Sequence, residues 1–282
     1  MDKMIHHVEY SPAFKNHLDI AEQCGQTYVG HGNPNAKILI VANEPGTVNE
    51  DIIKYDLNIN LSSWRKNIYS NQDLAGLEEA YNEQNKIDWN KFNPLWPYKG
   101  QCFCQIKRAK NSDNDVLIVN ENKRPTSRTW LQYQKLVDMI YNNDKKDYRR
   151  PEDPIDFFER AFITDFSSVY GLRSKDISPE DRYESIKNRL PLFSSDFINC
   201  FSVIIVASGH YIRDIKLLND LRKVFPGFCA VERVNDDLGW RNIHHSEDGK
   251  RILIHTKHFT SAIKDSYLSQ IALLCLDVLK KQ

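Results

Sequence analysis

A chain of 282 residues divides into roughly two domains of ordinary size, and one α/β domain carrying an insertion fills the same length. Its 38 Lys plus Arg offset 38 Asp plus Glu, which excludes a polycation built to coat nucleic acid and leaves any basic surface local. Hydrophobic residues at 41% and aromatics at 11% exclude wholesale disorder. No apolar run approaches the roughly 18 to 20 residues that cross a bilayer, and the opening MDKMIHHVEYSPAF lacks a secretory apolar stretch. The expectation is a cytoplasmic protein with no membrane partner. Six scattered cysteines (Cys24, Cys102, Cys104, Cys200, Cys229, Cys275) do not form the dense framework of a small secreted domain and are expected reduced.

In chain order, Ser11 to about Gln23 reads as an amphipathic helix opened by a capping serine. Lys37-Ile-Leu-Ile-Val-Ala42, bounded by Asn-Pro-Asn and Pro-Gly, is the pattern of a strand buried on both faces. About residues 52–155 read as a long insertion. In it the one strong helix, about Thr129 to Tyr141, follows polar, Asn-rich and aromatic-rich sequence of weak period. Cys102-Phe-Cys104 and Asp115-Val-Leu-Ile-Val119 are expected to form a β-ribbon around the charged stretch Lys107-Arg-Ala-Lys110. Asp144 to Asp153 reads as a solvated linker back to the core. Three further apolar runs, Ala161–Thr164, Phe201–Ala207 and Arg251–His255, alternate with helical stretches at Pro179–Ser195, Tyr211–Val224 and Ser261–Lys281. Alternating strands and helices predict an α/β fold, a single domain with a short, mostly parallel central sheet.

Several motifs fail their context. Gly30-His-Gly32 precedes its strand, where a dinucleotide loop would follow it, and lacks the third glycine. There is no Walker A loop, no Gly-x-Ser-x-Gly elbow and no His-Glu-x-x-His pair. His244, His245, His255 and His258 lie close together, but no cysteine or carboxylate pair at zinc spacing accompanies them. Cys102 and Cys104 would share one side of a strand, which explains them without a metal. What holds is the set of strand ends: Asn43-Glu44-Pro45-Gly46, Thr164-Asp165, Ala207-Ser-Gly209 and His255-Thr-Lys-His258. In an open parallel sheet ligands bind beyond the carboxyl edge. An Asn-Glu pair, an Asp and a His converging there form an acid/base constellation. Taken singly, each has a plain structural role available: Glu44 a helix cap, Asp165 a turn cap, His258 a surface residue.

The stretch from Tyr28 to Asp51, Tyr-Val-Gly-His-Gly-Asn-Pro-Asn-Ala-Lys-Ile-Leu-Ile-Val-Ala-Asn-Glu-Pro-Gly-Thr-Val-Asn-Glu-Asp, resembles the first motif of the uracil-DNA glycosylase superfamily, particularly its family 4 branch. There a Gly-x-Gly-Asn-Pro segment leads into a buried strand ending in Gly-Glu-Ala-Pro-Gly. Phe162-Ile-Thr-Asp165, the helix from Ser178-Pro-Glu-Asp181 to Leu192, Val203–Gly209 and Thr256-Lys-His258-Phe259 resemble the later motifs in the family order. The resemblance covers about residues 20–51 and 160–275 and implies a three-layer α/β/α sandwich. The departures are specific. Family 4 holds an iron-sulfur cluster on four cysteines, whereas Cys24 has no close partner and Phe166-Ser-Ser-Val-Tyr170 contains no cysteine, so no cofactor is expected. Asp165 stands where the family usually has Asn, and Phe259 where it has Pro.

The resemblance implies a DNA base-excision glycosylase acting on a flipped-out damaged or deaminated base, a monomer whose partner is DNA. Glu44 would be the general base, Asn43 would position water or backbone, and His258 would donate to base O2. Asp165 would face the base edge, and Trp130 or Tyr133 would stack on the base. An Asn amide can donate to uracil O4, whereas an ionised Asp only accepts. An ionised Asp165 would therefore disfavour uracil; a base with an exocyclic amine, or a protonated Asp165, would relieve the mismatch. Lys257, Lys264, Arg241, Lys250 and Arg251 cluster near the last strand and could contact phosphates. The alternative is a non-catalytic nucleic-acid- or nucleotide-binding protein on the same scaffold.

Overall fold

The computed structural model describes residues 8–45, 50–80, 87–102, 106–108, 117–119, 128–141, 154–171, 176–209, 211, 215–259 and 263–281. Its strands are β1 (His31–Gly32), β2 (Ile38–Ala42), β3 (Ile106–Arg108), β4 (Leu117–Val119), β5 (Ala161–Asp165), β6 (Val203–Ala207), β7 (Glu232–Asp236), β8 (Gly239–His245) and β9 (Ile252–Thr256). The helices are α1 (Pro12–Gln23), α2 (Glu50–Tyr69), α3 (Arg128–Tyr141), α4 (Pro179–Phe193), α5 (Asp196–Asn199), α6 (Leu221–Val224) and α7 (Asp265–Leu279).

Every residue of β2, β5, β6 and β9 is buried. Such Ile- and Val-rich runs have no polar face to leave in water, so they sit at the centre of a sheet covered on both sides. They pair in parallel in the order β5-β2-β6-β9, with Ala42 opposite Asp165, Val41 opposite Val206 and Ala207 opposite Thr256. Their carboxyl ends therefore lie along one edge. The fold class is α/β, as the alternation predicts, but the sheet is mixed. Seven strands run β1-β5-β2-β6-β9-β8-β7, with β1, β8 and β7 antiparallel to their neighbours. Gly30-His-Gly32 reaches β5 as edge strand β1. A Cβ on Gly30 would collide with the Ile163 carbonyl and the Phe162 ring, so glycine is required by close approach of two backbones. The β7–β8 hairpin gives no apolar alternation because Glu232, Arg233, Asn235 and Asp236 are exposed.

The two long helices with capped starts follow their local sequence. Ser11 accepts from the Phe14 N–H ahead of α1, and Ser178 from the Asp181 N–H ahead of α4, each with proline in the first turn. α1 packs against α2, α4 and α5, and α3 packs against α7. One contiguous set of buried residues runs from Val8 to Val278 and includes Trp64, Leu95, Trp96 and Tyr133 of the insertion.

The insertion differs from its sequence reading in two places. α2 occupies 20 residues where only weak period was legible, because its inward face mixes Leu57 and Trp64 with buried Asp56, Asn60 and Asn67. The ribbon forms between β3 and β4, with Lys107 opposite Ile118. Its first strand is thus the charged stretch itself, and Cys102 instead bridges Pro154; Cys104 and the stretch from Asp144 to Asp153 lie outside the described residues. Of the helix expected over Tyr211–Val224, the described residues show Tyr211 in helix, a 3-10 turn at Lys216–Leu218 and α6; residues 212–214 lie outside them. Asp220, in extended backbone and accepting from the Arg222 N–H, interrupts it.

Candidate functional site

The carboxyl ends of the parallel strands carry Asn43 and Glu44 after β2, Asp165 at the end of β5 and His258 after β9. Hydrogen bonds carry the pairing past the strand ends: the Phe166 N–H donates to the Ala42 carbonyl at 3.0 Å and the Ser167 N–H to the Asn43 carbonyl at 2.9 Å. Asn43-Glu44 and Asp165 to Ser167 are thus side by side. Gly209, in the left-handed region at φ +59°, turns the chain out of β6 so closely that its Cβ position lies 3.3 Å from the His258 N. The loops after β6 and β9 therefore touch.

Asp165 is buried, and its Oδ2 accepts from the Tyr28 hydroxyl at 2.9 Å. Burial is the largest influence on this carboxyl and pushes it up to about 6; Tyr28, Arg189 and His31 pull down, and the Glu44 charge pushes up. Glu44 and Asp165 are near enough to feel one another. Burial also raises Glu44, while the Tyr211 hydroxyl and the Arg182 guanidinium, 3.8 Å away, pull it back. Arg182 also lies over the Tyr211 ring, 5.3 Å from its centroid. His258 is half-buried, and burial lowers its pKa, favouring the neutral ring.

Two polar atoms at this edge have no hydrogen-bond partner among the described residues: Asn43 Oδ1 and Ser208 Oγ, both inaccessible to solvent. Buried polar atoms are nearly always satisfied, so these two are the atoms of this edge whose hydrogen bonds the described residues do not supply.

The scaffold beneath Asp165 was not legible from motifs. Arg189, fully buried on α4, donates to the carbonyls of Tyr28 (2.5 Å) and Asp165 (3.2 Å) and to Thr164 Oγ1 (3.1 Å), with its guanidinium over the Tyr28 ring at 5.1 Å. Its only sequence signal was a charge on the apolar stripe Ile186, Arg189, Phe193. His31, 5.4 Å from the Tyr28 ring, meets the buried Asp56 carboxylate at 2.9 Å. Asn60 of α2 clamps the same segment, accepting from the Val29 and Gly30 N–H groups and donating to the Gly30 carbonyl.

Of the two aromatic candidates, Tyr133 is buried against Phe157 and Phe259, and burial, with a smaller push from the Asp165 charge, raises its pKa. Trp130, one turn earlier, packs with Tyr98, Phe157 and Phe158. Of the cations, Arg241 is buried and paired with Asp236 at 3.0 Å. Lys257 holds its ammonium 5.4 Å from the Tyr267 ring centroid, and Lys264 is the N-cap residue of α7. Arg251 donates to the carbonyls of Phe201 and Ile198. Of the four histidines, His244 Nδ1 meets the Cys229 carbonyl and His255 Nε2 the Gly209 carbonyl. Among the described residues no three His, Cys, Asp or Glu side chains cluster in a way that could hold a metal ion, and no helix is long and apolar enough to cross a membrane.

No family model matches this chain, and no curated protein matches it.

Proposed function

We propose that the chain is a DNA base-excision glycosylase of altered base preference, built as a three-layer α/β/α sandwich of the uracil-DNA glycosylase kind. The reading rests on the order of motifs in the sequence. It is supported by α1, α2, α4 and α5 packing as one group of helices and α3 with α7 as another, as two outer layers require.

The observation that carries the chemistry is the placement of two carboxylates, Glu44 and Asp165, at the ends of adjacent parallel strands whose pairing runs on through Ser167 N–H to the Asn43 carbonyl. Hydrolysis of an N-glycosidic bond breaks C1′–N and adds water to C1′; the departing base anion takes up a proton. A carboxylate near the sugar stabilises its positive charge and accepts the proton of the attacking water. Glu44, raised from the ordinary carboxylate range by burial, is a stronger base for that step. Asn43, with its unoccupied acceptor, orients the water. His258 donates to base O2, where negative charge develops. Trp130, partly buried, is the aromatic left to stack on the base, since Tyr133 and Phe259 are buried against one another, and Asp165 faces the base edge.

Incubating purified protein with oligonucleotides that each carry one damaged or deaminated base tests the reading. Release of at least one such base, abolished in Glu44→Gln with binding retained, is expected. Binding without release from any of them favours the non-catalytic alternative.

A further inference from the structure

We propose that Tyr28, seated on Arg189, is the positioning residue that fixes which single oxygen Asp165 presents, so that the pocket selects a base with an exocyclic amine over one with a carbonyl. This rests on the glycosylase reading and names the substrate class of that site.

The geometry is restrictive. The Tyr28 hydroxyl donates to Asp165 Oδ2 at 2.9 Å, and Oδ1 accepts no hydrogen bond from the described residues. Tyr28 is almost fully buried, so its hydroxyl has little freedom to turn to water. The Arg189 guanidinium lies over its ring at 5.1 Å and the His31 ring packs against it, tilted, at 5.4 Å; Arg189 also donates to the Tyr28 carbonyl. The donor is thus held in one place. With one lone pair of Oδ2 taken by Tyr28, Oδ1 is the oxygen with both lone pairs left for a ligand. An ionised Oδ1 pairs with an amine N–H and opposes a carbonyl oxygen; a protonated Oδ1 reverses both.

The groups that set this proton come from every side. Tyr28, ahead of β1, and Arg189 on α4 favour the ionised carboxylate, as does His31 on β1. Glu44 after β2 opposes it. Asp165 in turn acts on Tyr211 after β6 and on Tyr133 of α3, and Asp56 of α2 acts on Tyr28. Removing the Tyr28 hydroxyl removes a hydrogen bond made to the charged form, so Asp165 keeps its proton to higher pH.

The test uses the full chain and two matched single-stranded oligonucleotides, one with 5-hydroxycytosine and one with 5-hydroxyuracil, which differ at C4 in amine against carbonyl and at N3 in acceptor against N–H donor; the proposal places Oδ1 opposite the C4 group. Binding and base release are measured from pH 5 to 8, and the Asp165 carboxyl is titrated by carbon-13 NMR. In the wild type we expect about a tenfold preference for the amine base at pH 7.5, collapsing in acid as Asp165 takes its proton. In Tyr28→Phe the carboxyl titrates at higher pH, and the pH at which the preference collapses moves with it. A wild-type preference that is flat from pH 5 to 8 overturns the proposal without any variant. An Asp165 titration unmoved in folded Tyr28→Phe overturns it without any catalysis. Selective binding with no release of either base would refute the glycosylase reading and leave the assignment of Tyr28 to the titration.

Discussion

Replacing Arg189 by Met, which keeps much of the apolar stem, removes a buried guanidinium whose hydrogen bonds tie three segments together. Four acceptors lose a donor: the Tyr28 carbonyl, the Asp165 carbonyl, Thr164 Oγ1 and Gln26 Oε1. Two keep a partner, because Thr164 Oγ1 still donates to the Val29 carbonyl and Gln26 Oε1 still accepts from Ser168. The two carbonyls are stranded at about 1–3 kcal/mol each. Relief of the desolvation of a fully buried cation offsets part of that, and Asp165 loses its nearby positive charge. The expected loss is about 3–4 kcal/mol, read as a lower midpoint in urea unfolding at unchanged slope. Arg65→Met, which breaks exposed pairs to Asp19 and Glu22, is the control and should stay within about 1 kcal/mol. A loss below about 1 kcal/mol for Arg189→Met would refute the view that this side chain fastens the Asp165 strand end.

The Asp165 carboxyl titrates at about 6 in the fold against 3.8 for an unperturbed group. The native state thus holds its proton where the unfolded chain has released it. Stability falls as pH rises from about 4 to 6, by about 3 kcal/mol, so Asp165→Asn should unfold later than wild type at pH 7.5, with the advantage gone at pH 4. Equal midpoint differences at the two pH values would contradict the raised pKa. Gly30→Ala forces a methyl into the Ile163 carbonyl and Phe162 ring at φ +145°; the expected cost is at least about 3 kcal/mol in thermal or urea unfolding, and a near-neutral result would mean that β1 does not pack as closely as described. The equivalent change at Gly249, at φ +67° with nothing within 4 Å, should cost only about 1 kcal/mol.

The four central strands were legible because a run such as Ile38-Leu-Ile-Val-Ala42 admits one environment, burial on both faces. Glu44, Asp165 and His258 were legible as strand ends for the same reason. What escaped was polar structure that is itself buried. α2 hides Asp56, Asn60 and Asn67 on its inner face, so the hydrophobic period that marks a helix is diluted. β7 carries charges outward, β8 buries Arg241, and the two pair at the sheet margin, where alternation is not imposed. Arg189 and Tyr28 lie 161 residues apart, and no local pattern announces that one will clasp the other. The Gly30-His-Gly32 segment misleads in a related way: its glycines permit backbone contact, and the same residues elsewhere permit contact with a phosphate.

The most direct measurement is single-turnover base release by wild type and Glu44→Gln on whichever lesion oligonucleotide is cleaved fastest, with the dissociation constant measured in parallel. If Glu44 is the base that activates water, the rate falls by about 10² to 10⁴-fold while binding stays within about threefold. An equal rate in the variant, or a loss of rate matched by a loss of binding, would contradict the account.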